Sequence, residues 1–356
     1  MTPAALRAQF PILERVAYLN AGTDGPVPRA AQEAAARELA SELEEGRAKA
    51  HFERRFELQD ELRAGYAGLL GAELDDIALT TSTSEGLGKV LAGMDVGAGD
   101  EIVTSDEEHP GLIGPLIAAR ERGAEIRAVP FAELADAVGP RTTAVACSHV
   151  NWRTGEIAPA ALAELDVPVI LDGAQGAGAI PVDVAKLGCA AYAAAGQKWL
   201  CGADGTGLLY LAPAFRDRVR TLAPSYLSFE DASLGFESAL KPNARRHDTP
   251  SLARESIAFS AASLAVLREA DMAAVLARGP ALAATLAERL EAHGRRVAPR
   301  GHTTLVAFED DDPEGLRDRL FDLGVLVRNL PGTPLVRASV GAWSTEGDLE
   351  RLLAAL

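Results

Sequence analysis

A chain of 356 residues exceeds one ordinary domain of about 150 residues, so two domains around a substantial core are expected. Its 35 Lys and Arg against 51 Asp and Glu leave a net charge of −16, which repels nucleic-acid backbones and anionic lipid and excludes both as expected partners. No apolar run approaches the roughly 20 residues of a membrane helix, and Met1 to Leu13 lacks the basic start and apolar middle of a signal peptide, so a cytoplasmic location is expected.

Residues 29–45 and 52–70 carry apolar side chains at helical spacing and predict two amphipathic helices that cover a sheet or meet a second subunit. From Ile77 to Tyr210, short apolar runs at 77–80, 101–104, 144–147, 167–171, 190–194 and 207–211 alternate with helical or turn-rich segments. That alternation predicts an α/β fold with a mainly parallel, doubly wound sheet. After Pro213 the sequence is irregular as far as Ser251. Helices are then expected at 254–269, 281–293 and 313–323, with strands at 303–308, 325–328 and 335–340. This second pattern predicts a smaller α+β domain. The division expected is a large cofactor-binding domain, 15–245, and a small C-terminal domain, 246–356, with residues 1–14 packed on the latter.

Cys147, Cys189 and Cys201 are odd in number and widely separated, without a Cys-x-x-Cys pair, so neither a disulfide framework nor a zinc site is expected. The acidic run Glu309-Asp310-Asp311-Asp312 precedes Pro313 and reads as a solvated turn and helix start, not a metal site. No metal is expected.

Charge at the ends of apolar runs is more informative. Asp172 closes Val167-Pro168-Val169-Ile170-Leu171, where burial would raise its pKa unless a cation lay close by. Lys198 follows the next strand-like run, between Gly196 and the turn Gly202-Ala203-Asp204-Gly205, with Trp199 to desolvate it. An anion for a ring nitrogen and an amine for an aldehyde, at the carboxyl ends of neighbouring strands, are what pyridoxal 5'-phosphate (PLP) requires. Gln175 offers an amide donor to a ring hydroxyl. The glycines that follow Asp172 stand in the wrong order for a dinucleotide loop.

Thr83 and Ser84 lie where a strand passes into a helix expected to start near Ser84, and hydroxyls with free amides at a helix N-terminus suit a phosphate. Ordinary N-capping with Glu85 in the first turn accounts for the same residues. His109 follows the next strand, fixed by Pro110, where its ring could lie over an aromatic cofactor or carry a proton; a loop histidine held by Glu107 or Glu108 is the alternative. Arg337 interrupts the apolar strand Leu335-Val336-Arg337-Ala338, a fork of donors suited to a carboxylate unless the strand is an exposed edge.

These segments, with Tyr18-Leu19-Asn20-Ala21-Gly22, Glu108-His109-Pro110-Gly111, Ser148-His149-Val150-Asn151-Trp152 and Gly196-Gln197-Lys198-Trp199, resemble the class V aminotransferase family of fold type I PLP enzymes. The resemblance implies that Lys198 forms the Schiff base, Asp172 pairs with the pyridinium, Gln175 touches the ring oxygen, His109 stacks on the ring, and Thr83 with Ser84 binds phosphate. It implies that Arg337 takes the carboxylate of a small amino-acid substrate bordered by Asn20, Ala21, Gly22 and Trp152. Thr249, in Arg245-Arg246-His247-Asp248-Thr249-Pro250, would reach the phosphate across a dimer interface, which implies a homodimer with shared active sites.

Three positions depart from the family's pattern. Gln197 stands where a histidine is usual, with Ala195 where a hydroxyl residue is usual, so an amide replaces an imidazole among the cofactor contacts. The stretch from Arg328 to Pro334 lacks the nucleophilic cysteine of desulfurases. Trp152 replaces an asparagine and brings the chain closest to the C–S lyase and epimerase-like branch. The resemblance therefore implies β-elimination from cystine or another cysteine derivative. An aminotransferase is the alternative, and a protein that binds PLP without chemistry is a third possibility.

Overall fold

A computed structural model describes residues 1–356. Its strands are β1 (Ala17–Tyr18), β2 (Ile77–Thr80), β3 (Glu101–Ser105), β4 (Glu125–Val129), β5 (Thr142–Ser148), β6 (Val169–Asp172), β7 (Ala191–Ala195), β8 (Gly207–Leu211), β9 (Leu305–Glu309), β10 (Val325–Leu326), β11 (Arg328–Asn329) and β12 (Leu335–Ser339). The helices are α1 (Pro3–Ala8), α2 (Arg29–Glu45), α3 (Lys49–Leu70), α4 (Thr83–Gly93), α5 (Pro110–Glu121), α6 (Arg254–Glu269), α7 (Met272–Ala292), α8 (Pro313–Asp322) and α9 (Glu346–Leu353).

Seven strands form one sheet in the order β2-β8-β7-β6-β5-β3-β4. All neighbours are parallel except β8, which runs antiparallel to both β7 and β2. Every residue of β2, β3, β6, β7 and β8 is buried, as expected for a sheet covered on both faces. Alternation within β5 divides the two layers. Ala144 and Ala146 pack with Leu87, Val90, Leu112 and Leu116 of α4 and α5. Val145 and Cys147 face the layer that contains Leu58, Leu62, Ile257 and Leu264 of α3 and α6. The chain is thus an α/β protein with a mainly parallel, doubly wound sheet.

The C-terminal region builds an antiparallel sheet, β11-β12-β9, beside a parallel pair, β1-β10. The side chains of α7, α8 and α9 cover it with Leu286, Leu290, Leu316, Leu320, Leu349 and Leu352. Residues 17–18 form β1 and pair with β10, and Arg7 of α1 makes two hydrogen bonds to Asp348 of α9, at 2.7 and 3.1 Å.

Several elements differ from the sequence expectation, among them α9, which was not anticipated, and the strand expected at 325–328, which is divided into β10 and β11. β4 was not anticipated, because Glu125–Val129 is a largely exposed edge strand and lacks a continuous apolar run. Helix α7 begins at Met272, nine residues before the expected start at 281, and runs through Pro280. Proline removes one intrahelical hydrogen bond, but Pro280 is buried with Val275, Leu276 and Ala283, and that packing carries the helix past it.

Candidate active site

The parallel pairing of β6 with β7 sets Asp172 opposite Ala193, so the chain beyond β7 brings Lys198 to the same sheet edge that Asp172 ends. Asp172 is 5% exposed and accepts a hydrogen bond from Ala174 N at 2.9 Å. Burial raises its pKa, and the positive charge of Lys198 opposes that rise. Burial pushes the Lys198 ammonium down to about 8, with Asp172 again the main opposing influence. Each group thus senses the other, and the sequence-predicted acid and amine do share one site.

Helix α4 brings the anion end. It starts at Thr83, one residue earlier than expected, with Ser82 as N-cap accepting from Glu85 N at 3.1 Å. The backbone N–H groups of Thr83 and Ser84 therefore fall at the helix start, where no intrahelical partner exists. The Thr83 Oγ1 is buried and unpartnered. Close approach of α4 to the sheet requires glycine at position 86, since a Cβ there would lie 2.8 Å from the Cβ of Ala193. Gln197, beside Lys198, also holds a buried, unpartnered Oε1.

His109 caps α5, its Nδ1 accepting from Gly111 N at 3.0 Å. Burial lowers its pKa to about 4, with Lys198, Arg328 and Arg337 pushing the same way. Its ring is thus a neutral imidazole with one nitrogen committed to the cap, suited to stacking and poorly suited to carrying a proton at neutral pH. A Cβ on Gly111 would lie 2.5 Å from Ser84 Oγ and 3.1 Å from His109 Nδ1, so Ser84 and His109 line one wall. Trp152 meets the His109 ring edge to face, with centroids 5.1 Å apart, and its indole N–H donates to Glu107 O.

Arg337 lies at the other end, 1% exposed. Its single hydrogen bond runs from Nη1 to Trp152 O at 2.5 Å, while Nε and Nη2 are buried without partners. Burial, and next Arg328, lower its pKa to about 9, which leaves it charged at neutral pH. Gly22 sits directly against it: a Cβ there would meet Ser339 Oγ at 2.7 Å, Arg337 Nη2 at 2.9 Å and Gln175 Oε1 at 3.1 Å. Asn20 bridges to Ser339, Ala21 is fully buried, and the Asn20 Oδ1 accepts from Thr23 Oγ1 at 2.8 Å. Gln175 is committed to the protein: its Nε2 donates to Gly22 O and its Oε1 accepts from Trp199 Nε1, at 2.8 and 2.9 Å. It ties the N-terminal turn to the Lys198 segment.

Thr249 does not join Asp172 and Lys198 through any hydrogen bond in its own chain. Its hydroxyl donates to Glu85 Oε1 at 2.5 Å and accepts from Lys89 Nζ at 2.8 Å, both on α4. Two residues were given no site role of their own in the sequence reading. Glu108 is 3% exposed and joins β3 to β5, accepting from Ser105 Oγ and from the amide and hydroxyl of Ser148. Arg328 stands opposite Arg337 across β11 and β12. The signal for Glu108 was its place one residue before His109; for Arg328 it was a charge in a short strand.

The donor set fits PLP on the structure's own evidence of unmet bonding capacity. Thr83 Oγ1 and the first amides of α4 would hold the phosphate, Asp172 the ring nitrogen, Lys198 the aldehyde carbon, and His109 the ring face. The unpartnered face of Arg337 would hold a substrate carboxylate.

Comparison with known proteins agrees. The Aminotransferase class-V family matches residues 18–352. Isopenicillin N epimerase of Streptomyces clavuligerus is 30% identical over 394 residues, covering 96% of this chain and 94% of that protein. Among solved structures, a lysine-to-alanine mutant of C-DES with glycine covalently linked to its PLP cofactor superposes with a TM-score of 0.92 at 26% identity, over 98% of both chains. The cystine C–S lyase C-DES with its reaction product cysteine persulfide gives a TM-score of 0.89 at 26% identity, over 97% of this chain and 98% of that one. Fold and donor set define a fold type I PLP-dependent enzyme. The chain belongs to the class V aminotransferase family, and PLP is its cofactor.

Proposed function

We propose that this enzyme cleaves the C–S bond of cystine or a related cysteine derivative by β-elimination, acting as a homodimer. The observation that carries the reading is the lack of an ionisable thiol in a chain so close to C-DES. Cys147, Cys189 and Cys201 are all buried, and burial pushes the Cys189 thiol up to about 12 and the other two well above their ordinary value. None is a thiolate at neutral pH, so an enzyme persulfide has no carrier. Elimination needs none.

In this reading Arg337 holds the substrate carboxylate through Nε and Nη2. PLP, when bound, supplies an electron sink for charge developed at the substrate Cα. Asp172 would pair with the ring nitrogen and favour its protonated form. Lys198 Nζ takes the Cα proton, and a thiolate or persulfide leaves from Cβ. His109 and Trp152 wall off water on one side. In sum, cystine and water give cysteine persulfide, pyruvate and ammonia.

Incubation of the holoenzyme with cystine, cysteine and a panel of other amino acids, with pyruvate, sulfur and keto acid read in parallel, tests the proposal. Pyruvate with persulfide release supports elimination. Formation of a pyridoxamine form restored by a keto acid would replace it with transamination. A Lys198→Ala variant is expected to lose at least 1,000-fold in either rate, since proton transfer and covalent capture both depend on one amine; an unchanged rate would remove both enzymatic readings.

A further inference from the structure

We propose that Ser263 of α6, with Ser260 one turn before it, is a positioning residue for Lys198, anchoring the turn that carries the amine. The inference rests on the reading that Lys198 captures PLP, and it extends that site to a helix that supplies none of its donors.

Lys198 lies on no strand or helix. It belongs to the connection from β7 to β8, residues 196–206, and the peptide groups of such a segment need partners outside any ladder. The connection closes on itself at two points, Gly196 N to Thr206 O and Gly202 N to Gly196 O, both at 2.8 Å. The peptide groups just after Lys198 rely on α6 instead. Ser263 Oγ lies 2.9 Å from Leu200 O and 2.8 Å from Cys201 O, so one hydroxyl proton serves both carbonyls. Ser260 Oγ accepts from Ala203 N at 3.0 Å and stands 2.9 Å from Thr206 Oγ1, which itself donates to Ala203 O at 2.7 Å. With the Thr206 proton so committed, Ser260 donates to Thr206.

Packing alone gives these two serines no reason to be there. Ser263 is fully buried and Ser260 is 3% exposed, while Ile257, Ala261 and Leu264 of the same helix belong to the core. A serine within a helix ordinarily faces water or bonds back to its own helix. Neither of these does so, and a buried hydroxyl is costly without a partner. Both find their partners in the Lys198 connection. That connection also holds a strained residue: Cys201 has a φ of 52°, in the left-handed region that a residue other than glycine occupies at a cost, and its carbonyl is one of the two that Ser263 takes. On the other side of Lys198 in the chain, Gln197 O accepts from Gly25 N at 2.7 Å, and a Cβ on Gly25 would lie 2.2 Å from Lys198 O. The backbone is thus fixed before Lys198 by Gly25 and after it by Ser263, and together they set the direction in which the amine leaves the chain.

Capture of PLP by cofactor-free protein at pH 9 reads the position of the amine and not its protonation, because most of the amine is free above about 8. A misplacement of about 1 Å is worth roughly 100-fold in such a step, so Ser263→Ala is expected to slow capture at least tenfold in stopped-flow absorbance. It should also weaken the visible circular dichroism of the bound cofactor. The isosteric Ser263→Cys, a weaker donor, should fall between the two. Leu264→Ala removes core volume from the same helix where it packs on Gly65 of α3, and it should lower the melting temperature while capture stays within about twofold of wild type. Capture by folded Ser263→Ala within about twofold of wild type, or equal slowing by Leu264→Ala, overturns the proposal. If Ser263→Ala does not fold, the same comparison is read from Ser263→Cys and Ser260→Ala. Borohydride reduction and peptide mapping then locate the adduct. Attachment to another lysine removes the Lys198 reading and this proposal with it, whereas attachment at Lys198 at an unchanged rate in the serine variants removes this proposal alone. Capture precedes both elimination and transamination, so a failure to cleave cystine bears on neither.

Discussion

An amine that is to capture an aldehyde must first lose its proton, and at the residue scale that is what the burial of Lys198 supplies. With its pKa brought down to about 8, the group is an ammonium below that pH and a free amine above it. Addition of PLP to cofactor-free protein should therefore accelerate with pH up to about 8 and then level off, followed by stopped-flow absorbance between pH 6 and 10. An ordinary lysine would keep gaining until about 10.4. Asp172→Asn removes the main influence that raises the Lys198 pKa, so its midpoint should move lower still. A wild-type midpoint near 10 would mean the amine is solvated and the site open. Asp172, Lys198 and Arg337 were legible because each interrupts or ends an apolar run, where a charge without a role is costly. Arg328 was not, since the two-residue strand β11 has no apolar run around it and the cross-strand register that opposes it to Arg337 is a property of pairing, not of local sequence.

At the element scale the site is a matter of where strands end and what clamps them. Glu108 is such a clamp. It follows β3, and its carboxyl takes the hydroxyl of Ser105 and the amide and hydroxyl of Ser148, whose register partner is Asp172. Burial raises its pKa to about 7; the serine hydrogen bonds oppose that rise and the nearby charge of Asp172 adds to it. A carboxyl with a raised native pKa keeps its proton while the unfolded chain loses one, so stability falls as pH rises from the unfolded value near 4.5 through about 7. For one such group the full loss is about 3 kcal/mol. Glu108→Gln abolishes the titration, so urea unfolding at pH 5 and pH 8 should show the variant gaining on the wild type by most of that amount at the higher pH. A difference that does not change with pH would show that Glu108 is ionised throughout. The buried parallel strands were legible from their apolar runs and the turn residues between them. β4 was hidden because an exposed edge strand needs no such run, and the first turns of α7 because proline reads locally as a helix start whatever packs around it.

At the scale of the whole molecule, the surface is not what a charge of −16 suggests. Leu39 and Leu43 of α2 and Phe52 and Phe56 of α3 are exposed, as are Leu222, Tyr226, Leu234 and Phe236 in the segment that follows the large sheet. Arg55 connects α3 to that segment: its guanidinium lies 5.3 Å from the Phe52 ring and 5.7 Å from the Phe56 ring and donates to the Tyr226 hydroxyl at 2.6 Å. Single exposed apolar side chains are ordinary, but Phe52, Phe56 and Tyr226 gather about Arg55, and such a group marks a surface that another protein covers. A second copy of this chain is the expected occupant, in a two-fold arrangement that buries the same patch on both subunits. Light scattering at micromolar concentration should then give twice the 37.3 kDa of one chain. The double variant Leu43→Glu with Phe56→Glu, which places four buried charges in each two-fold interface, should shift the population to monomer. If Thr249 completes the neighbour's phosphate site, that monomer should release PLP at least tenfold faster on gel filtration, because a charge-assisted hydrogen bond is lost with the partner. Retention of PLP by the monomer with undiminished affinity would mean that each chain completes its own site and that Thr249 serves only Glu85 and Lys89 on α4.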